Sequence, residues 1–143
     1  MLATLRILLA VLGASAIGIA LSDILLGPTA TVAFFEGLFV SLTGDPAAAT
    51  GPWPATMDNE MRFYAVFWGA YGAALILVAR DFATRGHLTP WLAGLFFAGG
   101  VGRVISHAVA GPPHPFFTAL TAVELLTPPL LVLLWLGARQ RKL

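Results

Sequence analysis

The sequence predicts an all-α integral membrane protein: a four-transmembrane-helix bundle with an additional interfacial or re-entrant helix between helices 1 and 2. Three observations carry that expectation. Hydrophobic residues make up 58% of the 143 and charged residues 10%, against roughly 25% charged in a soluble globular chain, and mean hydropathy is +0.85. Four apolar runs reach the roughly 20 residues needed to cross a hydrocarbon core of about 30 Å: Ile7 to Leu26, Met61 to Ala79, Pro90 to Ala110 and Pro115 to Gly137. Small residues also recur every four positions on three of these runs. The whole chain, 1–143, reads as a single membrane domain.

The first run opens after Arg6 and holds Ala14-Ser15-Ala16, features shared with a signal peptide and its small-residue cleavage site. Its apolar pattern continues to Leu26, so it is read as a retained helix. The link that follows, residues 27–57, is too long for a plain connector. In its first half Val32, Phe35 and Phe39 fall at near-helical spacing, with Glu36 and Ser41 as polar exceptions. A helix over about 29–43 is expected, with Pro28 near its first turn and Gly44 near its end; at that length it lies on or re-enters the bilayer rather than crossing it. The second half, DPAAATGPWPAT, reads as irregular loop, with Trp53 suited to a membrane interface.

Charge placement predicts orientation. Arg6, Arg80 and Arg85, and the tail Arg139, Arg141 and Lys142 fall on one side, which the positive-inside rule assigns to the cytoplasm together with both termini. Asp23, Glu36, Asp45, Asp58, Glu60 and Glu124 fall toward the other side, against Arg62 and Arg103. The expected location is the inner (cytoplasmic) membrane. No outward basic patch exists, so a nucleic-acid partner is not expected, and membrane lipids are. The chain has no cysteine, which removes disulfides, iron–sulfur clusters and thiol chemistry.

Helices in a bilayer associate by close packing, which small residues permit. The repeating sets are Ala10, Ala14, Gly18 and Ser22 on the first span, Ala65, Gly69 and Ala73 on the second, and Gly94, Ala98, Gly102 and Ser106 on the third. They are expected to pack the spans against one another. A second use, contact with another membrane subunit, fits the first span best.

The ionisable residues gather at one depth. At 1.5 Å per residue Arg103 lies roughly 10 Å below the outer surface, Glu124 roughly 14 Å and Arg62 roughly 6 Å, and Asp23 lies near the outer end of the first span. A charge at such depth costs at least ~2.5 kcal/mol, so it should face the interior and find a partner. An Arg103–Glu124 pair is expected. Arg62, a cation in the first turn of its helix, opposes the macrodipole and should answer a carboxylate from elsewhere, Asp23 or Glu124. His107 lies one turn from Arg103, and Glu60, Tyr64, Trp68 and Tyr71 share a face. Pro128 removes the hydrogen bond that the Glu124 carbonyl would accept, and with Pro129 should kink the last span.

Three stretches carry these residues: DNEMRFYAVFWGAYG, GRVISHAVAGPPHP and VELLTPPLLVLLW. Asn59, Glu60, Arg62 and Phe63, then Gly102 and Arg103, then Glu124, Leu125, Pro128 and Pro129 resemble the blocks of a bacterial four-helix membrane family catalogued as a domain of unknown function, DUF4345. The resemblance implies the four-helix fold and the importance of this cluster, and it brings no established activity with it.

The polar cluster to be located is therefore Arg62, Arg103, Glu124, His107, Glu60, Asn59, Tyr64 and Asp23. A buried ion-pair network that fixes helix register is one use for it. A pocket for the polar end of an apolar molecule, of lipid, quinone or isoprenoid type, is another, with Arg62 and Arg103 on the head group and Glu124 or His107 as acid or base if there is catalysis. Neither a cofactor nor a reaction can be read from these residues, and His107 and His114 lack the tight spacing of a metal site. The other class of function is a non-catalytic accessory or assembly subunit of a larger membrane complex. An open cavity between spans 2, 3 and 4 would separate the two, since a binding protein needs one.

Overall fold

The structure, a computed structural model, describes residues 1–45, 47 and 49–140. Of the basic tail, Arg141 and Lys142 lie outside the described residues. The elements are α1 (Leu2–Leu25), α2 (Pro28–Thr43), α3 (Ala55–Arg80), α4 (Phe82–Arg85), a 3₁₀ turn (Gly86–Leu88), α5 (Thr89–Ala110) and α6 (Pro115–Gln140), with no strand among the described residues. Four of these helices are long and apolar enough to cross a membrane, and α2 is shorter. Their outer faces carry large apolar side chains such as Ile7, Trp91, Val109 and Leu126, each more than 60% exposed. Such continuous apolar surface is compatible with a surround of lipid rather than water.

Local chemistry sets the helix ends. α1 stops at Gly27, whose φ of 90° only glycine adopts cheaply, and Pro28 then opens α2 at a position where its missing N–H is no loss. Gly44 ends α2 in the left-handed conformation, its N–H donating to the Val40 carbonyl. Asp81 accepts from the Thr84 N–H at the start of α4. His114 does the same for α6: its Nδ1 accepts from the Phe116 N–H at 3.1 Å. α6 then continues through Pro128 and Pro129 as a single helix. α3 begins six residues before the apolar run at Met61, so Asp58, Asn59 and Glu60 lie inside it.

α1 and α3 pack antiparallel along their length, as do α5 and α6; α1 meets α6, and α3 touches α5 only sparsely. The α1–α3 crossing is built on glycine. A methyl group at Gly13 would lie 2.7 Å from the Gly72 carbonyl oxygen, and one at Gly72 would lie 2.7 Å from that of Gly13. Ala16 and Ala20 continue the seam against Gly72 and Gly69. This corrects the expected stripe on the first span: Ala14 and Gly18 are exposed, and the buried set is Gly13, Ala16 and Ala20. On α5 likewise Gly94, Ala98, Gly102 and Ser106 are exposed, whereas Gly100 seats Leu125 and the Glu124 Cβ. The first and third spans are apolar nearly all round, so spacing alone did not fix which small residues face inward.

The apolar core fills one half of the molecule. Leu5, Leu9, Leu75, Val78, Phe82, Ala93 and Leu131 form it at the α4 end. There Arg6 Nε donates to the Ala79 carbonyl at 2.7 Å, satisfying a free carbonyl at the end of α3. At the opposite end the helices enclose space.

Candidate functional site

The α2 end holds a cavity of about 420 Å³. Its floor is Leu12, Leu75 and Phe96; its walls include Trp68, Tyr71 and Val123; and Phe35, Trp53 and Phe116 close it on the α2 side. α2 is held over it by several contacts. The Ser22 and Thr31 hydroxyls are hydrogen-bonded at 2.7 Å, and the Phe35 and Phe116 rings stack with centroids 6.0 Å apart. The Trp53 N–H donates to Thr29 Oγ1.

Arg103 and Glu124 supply polarity to the wall. Arg103 Nε donates to Glu124 Oε2 at 2.7 Å, joining α5 to α6. Glu124 is 7% exposed, while the Arg103 side chain is 38% exposed, with its guanidinium carbon 5.7 Å from the centre of the Phe117 ring. No described residue accepts from the two terminal nitrogens of Arg103. Asp23 completes the charged lining. Its carboxylate has no cation within ion-pair distance among the described residues.

The cavity adjoins a second space of about 440 Å³ between α3 and α5, bordered by Tyr64, Ala65, Gly99, Gly102 and Ser106. Ile19, Asp23, Met61, Trp68, Arg103 and Glu124 line both. The charged groups therefore stand at the throat between an apolar chamber and a lateral groove. Open space lies beside Gly99 there, since an added methyl group would meet no atom nearer than Glu124 Oε2 at 4.0 Å.

Of the eight residues singled out from the sequence, Asp23, Arg103 and Glu124 converge here, and Tyr64 stands on the rim of the groove. The other four do not line either space. Arg62 bonds Asp58 within its own helix, Nε to Oδ1 at 2.7 Å, and donates from Nη1 to the Ile24 carbonyl at 2.5 Å. Its direct partner on another helix is the free carbonyl end of α1, where a cation meets the favourable end of the helix dipole, while the expected Asp23 carboxylate stands beyond ion-pair distance and feels only its charge. His107 is exposed although it lies one turn from Arg103. Asn59 and Glu60 are exposed in the first turns of α3. The face expected to join Glu60, Tyr64, Trp68 and Tyr71 thus divides: Trp68 and Tyr71 stack at 5.2 Å on the cavity side, with the Tyr71 hydroxyl donating to the Leu92 carbonyl, while Glu60 and Tyr64 are exposed.

A second buried acid, Glu36, performs a task that spacing does not reveal. It is 1% exposed and accepts from both the Thr50 N–H, at 2.7 Å, and the Thr50 hydroxyl, clamping the loop after α2 back onto that helix. The only sign in the sequence is a carboxylate in the middle of an apolar helix. Among the described residues, no three His, Asp or Glu side chains converge as metal ligands would.

No curated protein and no solved structure matches the chain. A family model described as a domain of unknown function, DUF4345, matches residues 4–135, nearly the whole length of the chain. By that match the chain belongs to the DUF4345 family.

Proposed function

We propose that this protein binds an amphiphilic molecule of lipid, quinone or isoprenoid type, its polar end at Arg103 and Glu124 and its apolar part in the chamber beyond them. The observation that carries the reading is the chamber itself: about 420 Å³, mostly apolar walls and a few convergent polar groups, the usual make-up of a small-molecule site. A bundle that only pinned its helices together would be filled here, as it is around Leu5, Leu9 and Leu131. The lateral groove gives such a ligand a route from the bilayer. In the orientation that Arg6, Arg80, Arg85 and Arg139 favour, both termini are cytoplasmic, α2 lies at the outer interface and the chamber opens in the outer leaflet of the inner membrane.

Native mass spectrometry of protein gently extracted from membranes tests this. Wild type should carry a stoichiometric small-molecule adduct. Ser15→Trp, which places a large ring in the chamber from α1 and leaves Arg103 and Glu124 unsubstituted, should lose it. A second reading, an accessory or assembly subunit of a larger membrane complex, draws support from the small-residue faces Ala14–Gly18 and Gly94–Gly102 left exposed on α1 and α5. An adduct-free protein that appears only with a larger partner would favour it.

A further inference from the structure

The charges at the throat narrow the ligand's chemistry. Arg103 and Glu124 neutralise each other, but through one hydrogen bond that leaves the terminal nitrogens of Arg103 without an acceptor among the described residues. Asp23 faces the same two spaces with no cation paired to it among those residues. Arg62, the cation on the neighbouring helix, bonds Asp58 and the Ile24 carbonyl and reaches Asp23 only through its charge, from beyond ion-pair distance. The site therefore offers donors at one point and an acceptor at another, with a net charge of −1 from Arg103, Glu124 and Asp23.

Each simpler head group meets this arrangement badly. An acid would place a further negative charge beside two carboxylates at low dielectric. A quinone or isoprenoid, without a cation, would leave Asp23 with only the Thr31 hydroxyl and the more distant charge of Arg62 to answer it in a largely apolar space. A head group bearing both signs satisfies both points at once. Resting on the amphiphile-binding reading above, we propose that the cavity takes a zwitterionic amphiphile, its anionic oxygens on the terminal nitrogens of Arg103 and its ammonium group on the Asp23 carboxylate. The chamber is the size of a drug-like ligand and smaller than a two-chain lipid. One chain enters it, and the remainder runs out along the groove past Gly99 and Gly102.

The test is binding of defined lipids to delipidated protein in detergent, read by native mass spectrometry, with phosphatidylethanolamine and phosphatidylglycerol of identical chains in competition. Wild type should prefer phosphatidylethanolamine by about tenfold, the order expected of one additional charge-assisted hydrogen bond. Asp23→Asn should bring the ratio toward unity while still binding lipid, and Asp23→Glu should restore part of it. Free phosphoethanolamine should not displace the bound lipid; displacement would overturn the requirement for a chain. Equal binding or a preference for phosphatidylglycerol by wild type overturns the head-group assignment, as does an unchanged ratio in Asp23→Asn, and in either case the chamber keeps its role. Wild type that binds no lipid in competition, and carries no adduct when extracted, overturns both readings.

Discussion

Arg103 and Glu124, on adjacent helices, meet through a single hydrogen bond of 2.7 Å. The other two ion pairs of the described residues, Arg62–Asp58 and Arg85–Asp81, are both local i,i+4 pairs. Glu124 is nearly enclosed, while more than a third of the Arg103 side chain is open. Removal of the two partners is therefore unequal. Glu124→Gln leaves the Arg103 cation with one neutral acceptor and should cost about 1–3 kcal/mol, less than a fully enclosed pair because Arg103 is partly exposed. Adding Arg103→Leu should recover part of that loss. Thermal unfolding in detergent reads both. A double variant no more stable than Glu124→Gln alone would refute the pair as a structural link.

The contact of Gly13 with Gly72 makes a second, sharper demand. Gly72→Ala would press a methyl group to 2.7 Å from the Gly13 carbonyl oxygen and 3.0 Å from the Ala16 Cβ. Because the nearest obstacle is backbone, α1 and α3 must separate, at about 1–3 kcal/mol. Gly18→Ala, on the open face of α1, should stay within about 0.5 kcal/mol. Equal melting temperatures for the two variants would place the α1–α3 seam elsewhere.

These two cases show how much was legible in the sequence. Span number and approximate limits followed from length and hydropathy, which depend on the chain alone, and α2 followed from Pro28 and Gly44 at its ends. The Arg103–Glu124 pair followed from depth, because two opposite charges at one level in hydrocarbon have few other solutions. The faces of α1 and α5 did not follow. A helix with apolar residues on every side carries no stripe to orient it, and Gly13, Ala16 and Ala20 differ from Ala14 and Gly18 only in what lies opposite. Arg62 departs from its expected partner for a related reason: it meets a main-chain carbonyl brought near by the turn at Gly27, which no side-chain pattern records.

That role for Arg62 separates folding from binding. Arg62→Met removes donors to Ile24 and Asp58 and should destabilise the protein by about 1–2 kcal/mol. Since Arg62 lines neither the chamber nor the groove, the adduct of the folded variant should remain stoichiometric. A loss of adduct at temperatures well below unfolding would return Arg62 to the binding site.

At the opposite end, Asp81 gives a pH dependence outside the spans. Partial burial alone would raise its proton affinity, but the Thr84 hydroxyl and N–H and the Arg85 guanidinium together hold its pKa below the ordinary 3.8. A carboxylate depressed on folding contributes stability above its unfolded pKa and loses it as pH falls through the folded value. Asp81→Asn should therefore narrow the stability difference between pH 6 and pH 3, most of it arising below about pH 4. Identical pH profiles for variant and wild type would mean that the Asp81 contacts contribute nothing to folding.

Glu36 and Thr50 offer the last test, because their bond decides whether the chamber has a firm cover. Both Glu36 oxygens are occupied by one residue of the loop, and the same loop brings Trp53 to the chamber. Glu36→Ala removes the acceptors, whereas Thr50→Val removes only the hydroxyl bond and keeps the N–H bond to Glu36. Hydrogen exchange at the Thr50 amide should accelerate by about tenfold or more in the first variant and by less in the second, in line with about 1.5–3 kcal/mol for a hydrogen bond to a charged group. If the loop alone loosens, exchange at buried core positions such as Leu9 and Leu75 should stay unchanged. Faster exchange there as well would make the Glu36 clamp part of the global fold, and the α2 end would then open only when the whole molecule unfolds.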